Sequence, residues 1–205
     1  SFASSQLPVA LKVFRERYPR IDVAVHDVIN EQMLEMVRAG RVEFGLGYEP
    51  VVTAGIDFTE LSSDRFVAVV PADSPLAGAA RVTWAGLLAE PFIALQRPSA
   101  VRLLLEQSLE QTGRKLRVSF ECHQLATVGR MVACGLGVSA VPALSIAQME
   151  ELGARCLPLA EPTVSRGIGI VSLERRELSS ATRALRKVIL EVSGSGGAGQ
   201  EREDD

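Results

Sequence analysis

The stretch "IDVAVHDVINEQMLEMVRAGRVEFGLGY", residues 21–48, changes its apolar period twice. From Ile21 to Ile29 apolar residues alternate with polar or small ones, which predicts a strand ending near Ile29. Asn30 then serves as a helix N-cap, Met33, Leu34 and Val37 form the inward stripe, and Gly40 supplies the stop. The following "VEFGLGY" predicts a second strand with small residues.

The same alternation continues outward. Before it, "LPVALKVFRERYP" predicts a helix with Leu7, Val9, Ala10, Phe14 and Tyr18 inward, Pro8 in its first turn and Ser1 near its cap. After it, "TAGIDFTELSSDRFVAVVPAD" predicts two strands, and "SPLAGAARVTWAGLLAE" a loop and a short helix. Then come "PFIALQRP" as strand and turn, "SAVRLLLEQSLEQTG" as helix, "LRVSFECH" as strand, "QLATVGRMVACG" as helix and "LGVSAVP" as a short buried strand. "ALSIAQMEELG" predicts another helix, "CLPLAEPTVSRGIGIVSL" an extended run, and "SSATRALRKVILEV" a closing amphipathic helix. Strands alternating with helices predict an α/β fold with mostly parallel sheets and right-handed crossovers.

Bulk properties narrow the function classes. The 205 residues are 47% hydrophobic, enough for one large domain or two small ones. No apolar run approaches the ~20 residues of a membrane span, and no signal peptide heads the chain. Net charge is -3, but the closing "EREDD" carries four acids and one base, so the rest is close to neutral. A nucleic-acid-binding surface would need a basic face. The end, "SGSGGAGQEREDD", reads as a flexible tail over residues 193–205. Cys122, Cys134 and Cys156 lack metal-ligand spacing and fit a reducing compartment, which points to the cytoplasm.

Three strand-to-helix junctions place polar residues at a helix start: Asn30, Ser99 and Gln124. Ser1 would make a fourth if a strand preceded it. Strand ends in open α/β sheets line ligand crevices, and helix starts favour small anionic or polar ligands. Capping alone also accounts for these residue types.

The combination of "RERYP", "RAGRVEFGLG", "VVPADSPLAG", "EPFIAL" and "GLGVSAVP", in this order over residues 1 to about 192, resembles the effector-binding domain of LysR-type transcriptional regulators. The resemblance implies two Rossmann-like subdomains of periplasmic-binding-protein type II architecture, joined by crossover strands at "VVPAD" and the "TVSRG" region. Subdomain I would hold residues 1–70 and 166–192, subdomain II residues 71–165. It further implies a small effector in the cleft between them, a homodimer formed side by side with a tetramer open to the whole regulator, and DNA contacts made only by a helix-turn-helix domain. That domain and the family's first strand are expected ahead of Ser1. Carried over by position, the effector-binding residues would be Ser1, Phe2, Asn30, Tyr48, Arg97, Pro98, Ser99, His123 and Gln124. Arg97 and His123 could pair with a carboxylate.

Little in the sequence asks for catalysis. Cys122 and His123 are neighbours in a predicted strand and point to opposite faces, so they form no dyad. Cys122 and Cys134 could suggest a redox pair, but a small buried thiol explains Cys122 as simply. "GLGVSAVP" has no phosphate-loop lysine and ends a helix instead of opening one. His26 reads as a sheet residue, Met33, Met36 and Met131 as core, and Trp84 as packing. No metal site, cofactor or catalytic residue is expected. A sensor module is therefore the reading; a solute-binding protein would need an export signal, and an enzyme on this scaffold would need titrating groups gathered in one place.

Overall fold

The structure is a computed structural model that describes residues 2–50, 53–160 and 162–197. By packing, the chain divides into two units, one running through Ser63 and resuming at Arg166, the other covering Asp64–Ser165.

In the first unit, helix α1 (Phe2–Ser5) leads into α2 (Leu7–Arg17), followed by α3 (Asn30–Arg38), β1 (Phe44–Tyr48) and the start of β2 (Ile56–Pro71). The chain returns in β8 (Ser165–Leu173) and closes with α8 (Ser180–Gly197). β1 pairs antiparallel with β8, and β8 lies beside β2. Met33 and Val37 of α3 pack with Ile56 and Val171, so the predicted stripe does face the sheet. Phe14 and Ala10 are buried in α2, whereas Val9 is 52% exposed and lies outside the stripe. α2 packs along α8, with an exposed Arg17–Glu191 ion pair of 2.6 Å across them.

Three expectations are corrected in this unit. Residues 21–29 form no strand; the segment has no ladder partner among the described residues, and Val23, Val25 and Ile29 are exposed. Alternation marks a segment fit for a sheet, but a strand also needs a neighbour to take its backbone groups. His26 is accordingly an exposed residue of an irregular segment. The tail does not begin at 193, because α8 continues to Gly197 and buried Ser193 donates to Gln6 Oε1 at 3.4 Å. The first-unit boundary also falls at Ser63, not 70: Phe66–Val69 pair with β6 and Val67–Pro71 with β7, which fixes them in the second unit.

The start of α8 is held by a carboxylate from the turn before β1. Glu43 accepts from Ser179 N–H at 3.0 Å, from Ser179 Oγ at 3.1 Å, and from the Thr182 hydroxyl. The Thr182 bond, with the Ser179 amide and Arg176 helping against a small burial penalty, holds its carboxyl below the ordinary 4.5. A depressed folded value means stability that is present above the unfolded value and lost as pH falls through the folded one. Glu43→Gln therefore lowers stability at pH 7, by less than about 1 kcal/mol because water screens the carboxylate, and its difference from wild type shrinks below pH 4.5. Denaturant melts at pH 7 and pH 3.5 check this.

The second unit contains the rest of β2, then β3 (Val82–Thr83), α4 (Trp84–Leu87), β4 (Phe92–Leu95), α5 (Ala100–Glu110), β5 (Val118–Cys122) and α6 (Leu125–Ala133). β6 (Ser139–Pro142), α7 (Ile146–Glu151) and β7 (Ala154–Ala160) complete it. β2 sits between antiparallel β6 and β7; β3 adds to β7 and β5 to β4, both parallel. A parallel bridge from Phe92 to Val138 ties β4 to the segment that continues as β6. The two-residue period of β2 divides the core. Phe66, Ala68 and Val70 meet Trp84, Leu87, Leu105 and Leu109 on one face, and Val67 and Val69 meet Val128, Val132 and Met149 on the other.

The sheets are mixed, not mostly parallel. β7, by which the chain heads back to the first unit, runs opposite to β2, by which it left. The two strands predicted over 53–73 are one, because Asp64 in its middle is buried and its Oδ1 accepts from Leu144 N–H at 3.3 Å. A polar residue satisfied this way does not break a strand.

Candidate functional site

The first unit brings Asn30 and Tyr48 together. Asn30 is the first residue of α3, and the N-cap position belongs to Ile29, which makes no side-chain cap bond. Asn30 Oδ1 instead accepts from Tyr48 N–H at 3.0 Å, fastening the end of β1 to the start of α3. The expected cap is thus a cross-link between elements. Its amide nitrogen has no partner among the described residues and remains a donor. Gly47 permits the approach: a Cβ there would overlap Asn30 Oδ1 and Met33 Cε. Tyr48 and Phe2 are both buried. Phe2 opens α1, apart from the longer helix it was expected to begin, and Ser1 lies outside the described residues.

The second unit gathers Arg97, Pro98, Ser99, His123 and Gln124 at the adjacent ends of the paired strands β4 and β5. Ser99 caps α5, accepting from Arg102 N–H at 3.4 Å. The Arg97–Pro98 peptide is cis. Gln124 occupies the N-cap position of α6 without a side-chain cap bond and is exposed. His123 Nδ1 lies 3.2 Å from Gln96 Nε2. With the amide donating, Nδ1 accepts and the ring proton sits on Nε2.

Beneath these residues lies a charge network that sequence reading missed. Arg102 is 6% exposed. Its guanidinium donates to Glu106 at 2.7 Å, to the Leu95 carbonyl at 3.2 Å and to Glu121 at 3.2 Å. Glu106 also receives Arg97 at 2.5 Å. Partial burial pushes the Glu106 carboxyl up, but the bonds and charges of Arg97 and Arg102 outweigh it and hold the carboxyl below its ordinary value. Glu106 in turn holds the Arg97 guanidinium up. The one signal in the sequence was an arginine and a glutamate four residues apart on a leucine-rich helix.

The thiols are separate. Cys122 is buried with its Sγ 3.3 Å from Met131 Sδ, and burial raises its pKa. Burial pushes Cys156 up to about 12, and Cys134 is exposed; all three are free. Cys122 and His123 fall on opposite sides, one in the core and one exposed. Among the described residues no His, Cys, Asp and Glu group could hold a metal ion, and no helix is long and apolar enough to cross a membrane.

A family model described as the LysR substrate binding domain matches residues 1–194. The chain belongs to that family. It is 32% identical over 186 residues to the uncharacterized HTH-type transcriptional regulator YbhD of Escherichia coli (strain K12), covering 91% of this chain and 59% of that protein. The chain thus spans about three-fifths of the length of the curated relatives it matches. The crystal structure of HinK, a LysR family transcriptional regulator from Pseudomonas aeruginosa, superposes with a TM-score of 0.83 at 26% identity, over 95% of this chain and 68% of that one. The effector-binding domain of BenM with its effector benzoate gives 0.84 at 20% identity, over 96% and 89%. The mixed α/β fold with two sheets is that of LysR effector-binding domains, of periplasmic-binding-protein type II. The chain is a ligand-sensing domain of this regulator family.

Proposed function

We propose that this domain senses a small anionic or polar effector for a LysR-type transcriptional regulator that binds DNA through another domain. The family match over residues 1–194 carries the reading. The effector is read by Asn30 and Tyr48 in the first unit and by Arg97, Ser99, His123 and Gln124 in the second. Benzoate, the effector of BenM, is a carboxylate, and Arg97, the Ser99 hydroxyl and the Asn30 amide are donors suited to one. The protein acts in the cytoplasm as a homodimer, transmitting a shift between two subunit arrangements that bind the effector unequally. The reading is of a binding module, supported by the match to a substrate binding domain of transcriptional regulators.

A thermal-shift panel of small carboxylates, amino acids, aromatic acids and inorganic anions tests this. A compound at one hundred times its dissociation constant stabilises the protein by about 2.7 kcal/mol, and Asn30→Ala and Ser99→Ala each remove most of that gain. A shift that neither variant changes would refute the residue assignment; a cooperative melt that no panel compound moves would count against an anionic effector.

A further inference from the structure

Arg97 is the exposed cation of the second unit's strand ends, yet its guanidinium is already engaged. Its side chain is 63% exposed, while that of its partner Glu106 is only 15% exposed. The two ends of the pair are therefore held unequally. Glu106 is anchored from below by Arg102 through its other oxygen, Oε1, and Arg102 is fixed in turn by Leu95 and Glu121. Arg97 makes no other side-chain bond among the described residues. The four charges, Arg97, Arg102, Glu106 and Glu121, sum to zero, so the cluster offers an incoming anion no net attraction.

We propose that Glu106 is an internal competitor for the effector's anionic group. In the free protein its Oε2 occupies Arg97; on binding, the effector's carboxylate takes that place, and Glu106 stays ordered on Arg102. Glu106 thereby sets the charge preference of the site. The exchange replaces one carboxylate by another at the same guanidinium, so a neutral ligand gains nothing from it. This rests on the effector-sensing reading above and assigns the residue that decides which effectors are accepted.

The experiment compares benzoate with benzamide, its neutral isostere, binding to wild type, Glu106→Gln, Glu110→Gln and the double variant Arg97→Gln/Glu106→Gln. Dissociation constants come from NMR titration, following the amides of residues 96–99 and the Arg97 Nε–H signal. Glutamine keeps an acceptor for Arg102 and removes the charge that Arg97 and Arg102 share. An exposed surface pair is weak, so Glu106→Gln tightens benzoate by roughly fivefold. Benzamide is unchanged, and the gain vanishes in the double variant. Glu110→Gln, which makes the same charge change on the same helix without bonding Arg97, alters benzoate less than twofold. A fivefold gain that persists without Arg97, or that Glu110→Gln reproduces, overturns the proposal. So does a benzoate affinity indifferent to Glu106, including binding that leaves residues 96–99 unperturbed. Failure of the sensor reading looks different: the whole effector panel then leaves the protein's melting unmoved.

Discussion

Trp84→Ala destabilises the second unit by about 3–5 kcal/mol. Trp84 is the largest fully buried side chain, packed in the cluster of Phe66, Leu87, Phe92 and Leu109. Its Nε1–H donates to the Pro162 carbonyl at 2.8 Å. Alanine leaves both a cavity and an unpaired carbonyl, and the two costs act together. Trp84→Phe refills most of the space and loses only the bond, so it costs less than alanine by at least half. Trp84 is the protein's single tryptophan, so the variants are followed by far-UV circular dichroism in urea. A loss under 1 kcal/mol for alanine would mean that the indole is not a core element.

Arg102→Met ranks second, at roughly 2–4 kcal/mol. Methionine keeps a long apolar stem but removes a guanidinium, so the Leu95 carbonyl loses this donor and Glu106 keeps only Arg97. The figure lies below the full cost of breaking a buried pair because Glu121 is half exposed and water replaces part of what it loses. The local consequence is specific: amide resonances of residues 95–99 shift or broaden, because Arg102 ties α5 to the end of β4. Arg102→Lys restores part of the stability but not the fork that serves three acceptors at once. Equal stability of wild type and Arg102→Met would show that the network contributes nothing net.

What the sequence disclosed and withheld follows from the range of the interactions. The helices α3, α5 and α6 were legible because their inward residues recur every three or four positions, a local signal. Gly135, at φ 77°, ends α6 as its position after the last apolar residue implies. Residues 21–29 carried the signal of a strand without its neighbour. Two strands were expected over residues 53–73, and only the distant Leu144 amide explains how Asp64 sits inside a single one.

The candidate site divides along the same line. Residue types at the strand ends were readable, and so was the cap role of Ser99. That Asn30 bonds Tyr48 instead of its own helix was not, because the bond depends on Gly47 letting α3 approach β1. Nor was Glu106: its meaning comes from Arg97 folding back across nine residues and from Arg102 reaching two strands.

The proposed effector residues Asn30, Tyr48, Arg97, Ser99 and Gln124 can be tested together. The most direct measurement is an assigned amide NMR titration with the panel compound that gives the largest thermal shift. Resonances of Asn30 and Tyr48 are expected to move together with those of Arg97, Ser99 and Gln124, along one binding curve with one dissociation constant. Shifts confined to one of the two groups, or two groups following different curves, would contradict the assignment.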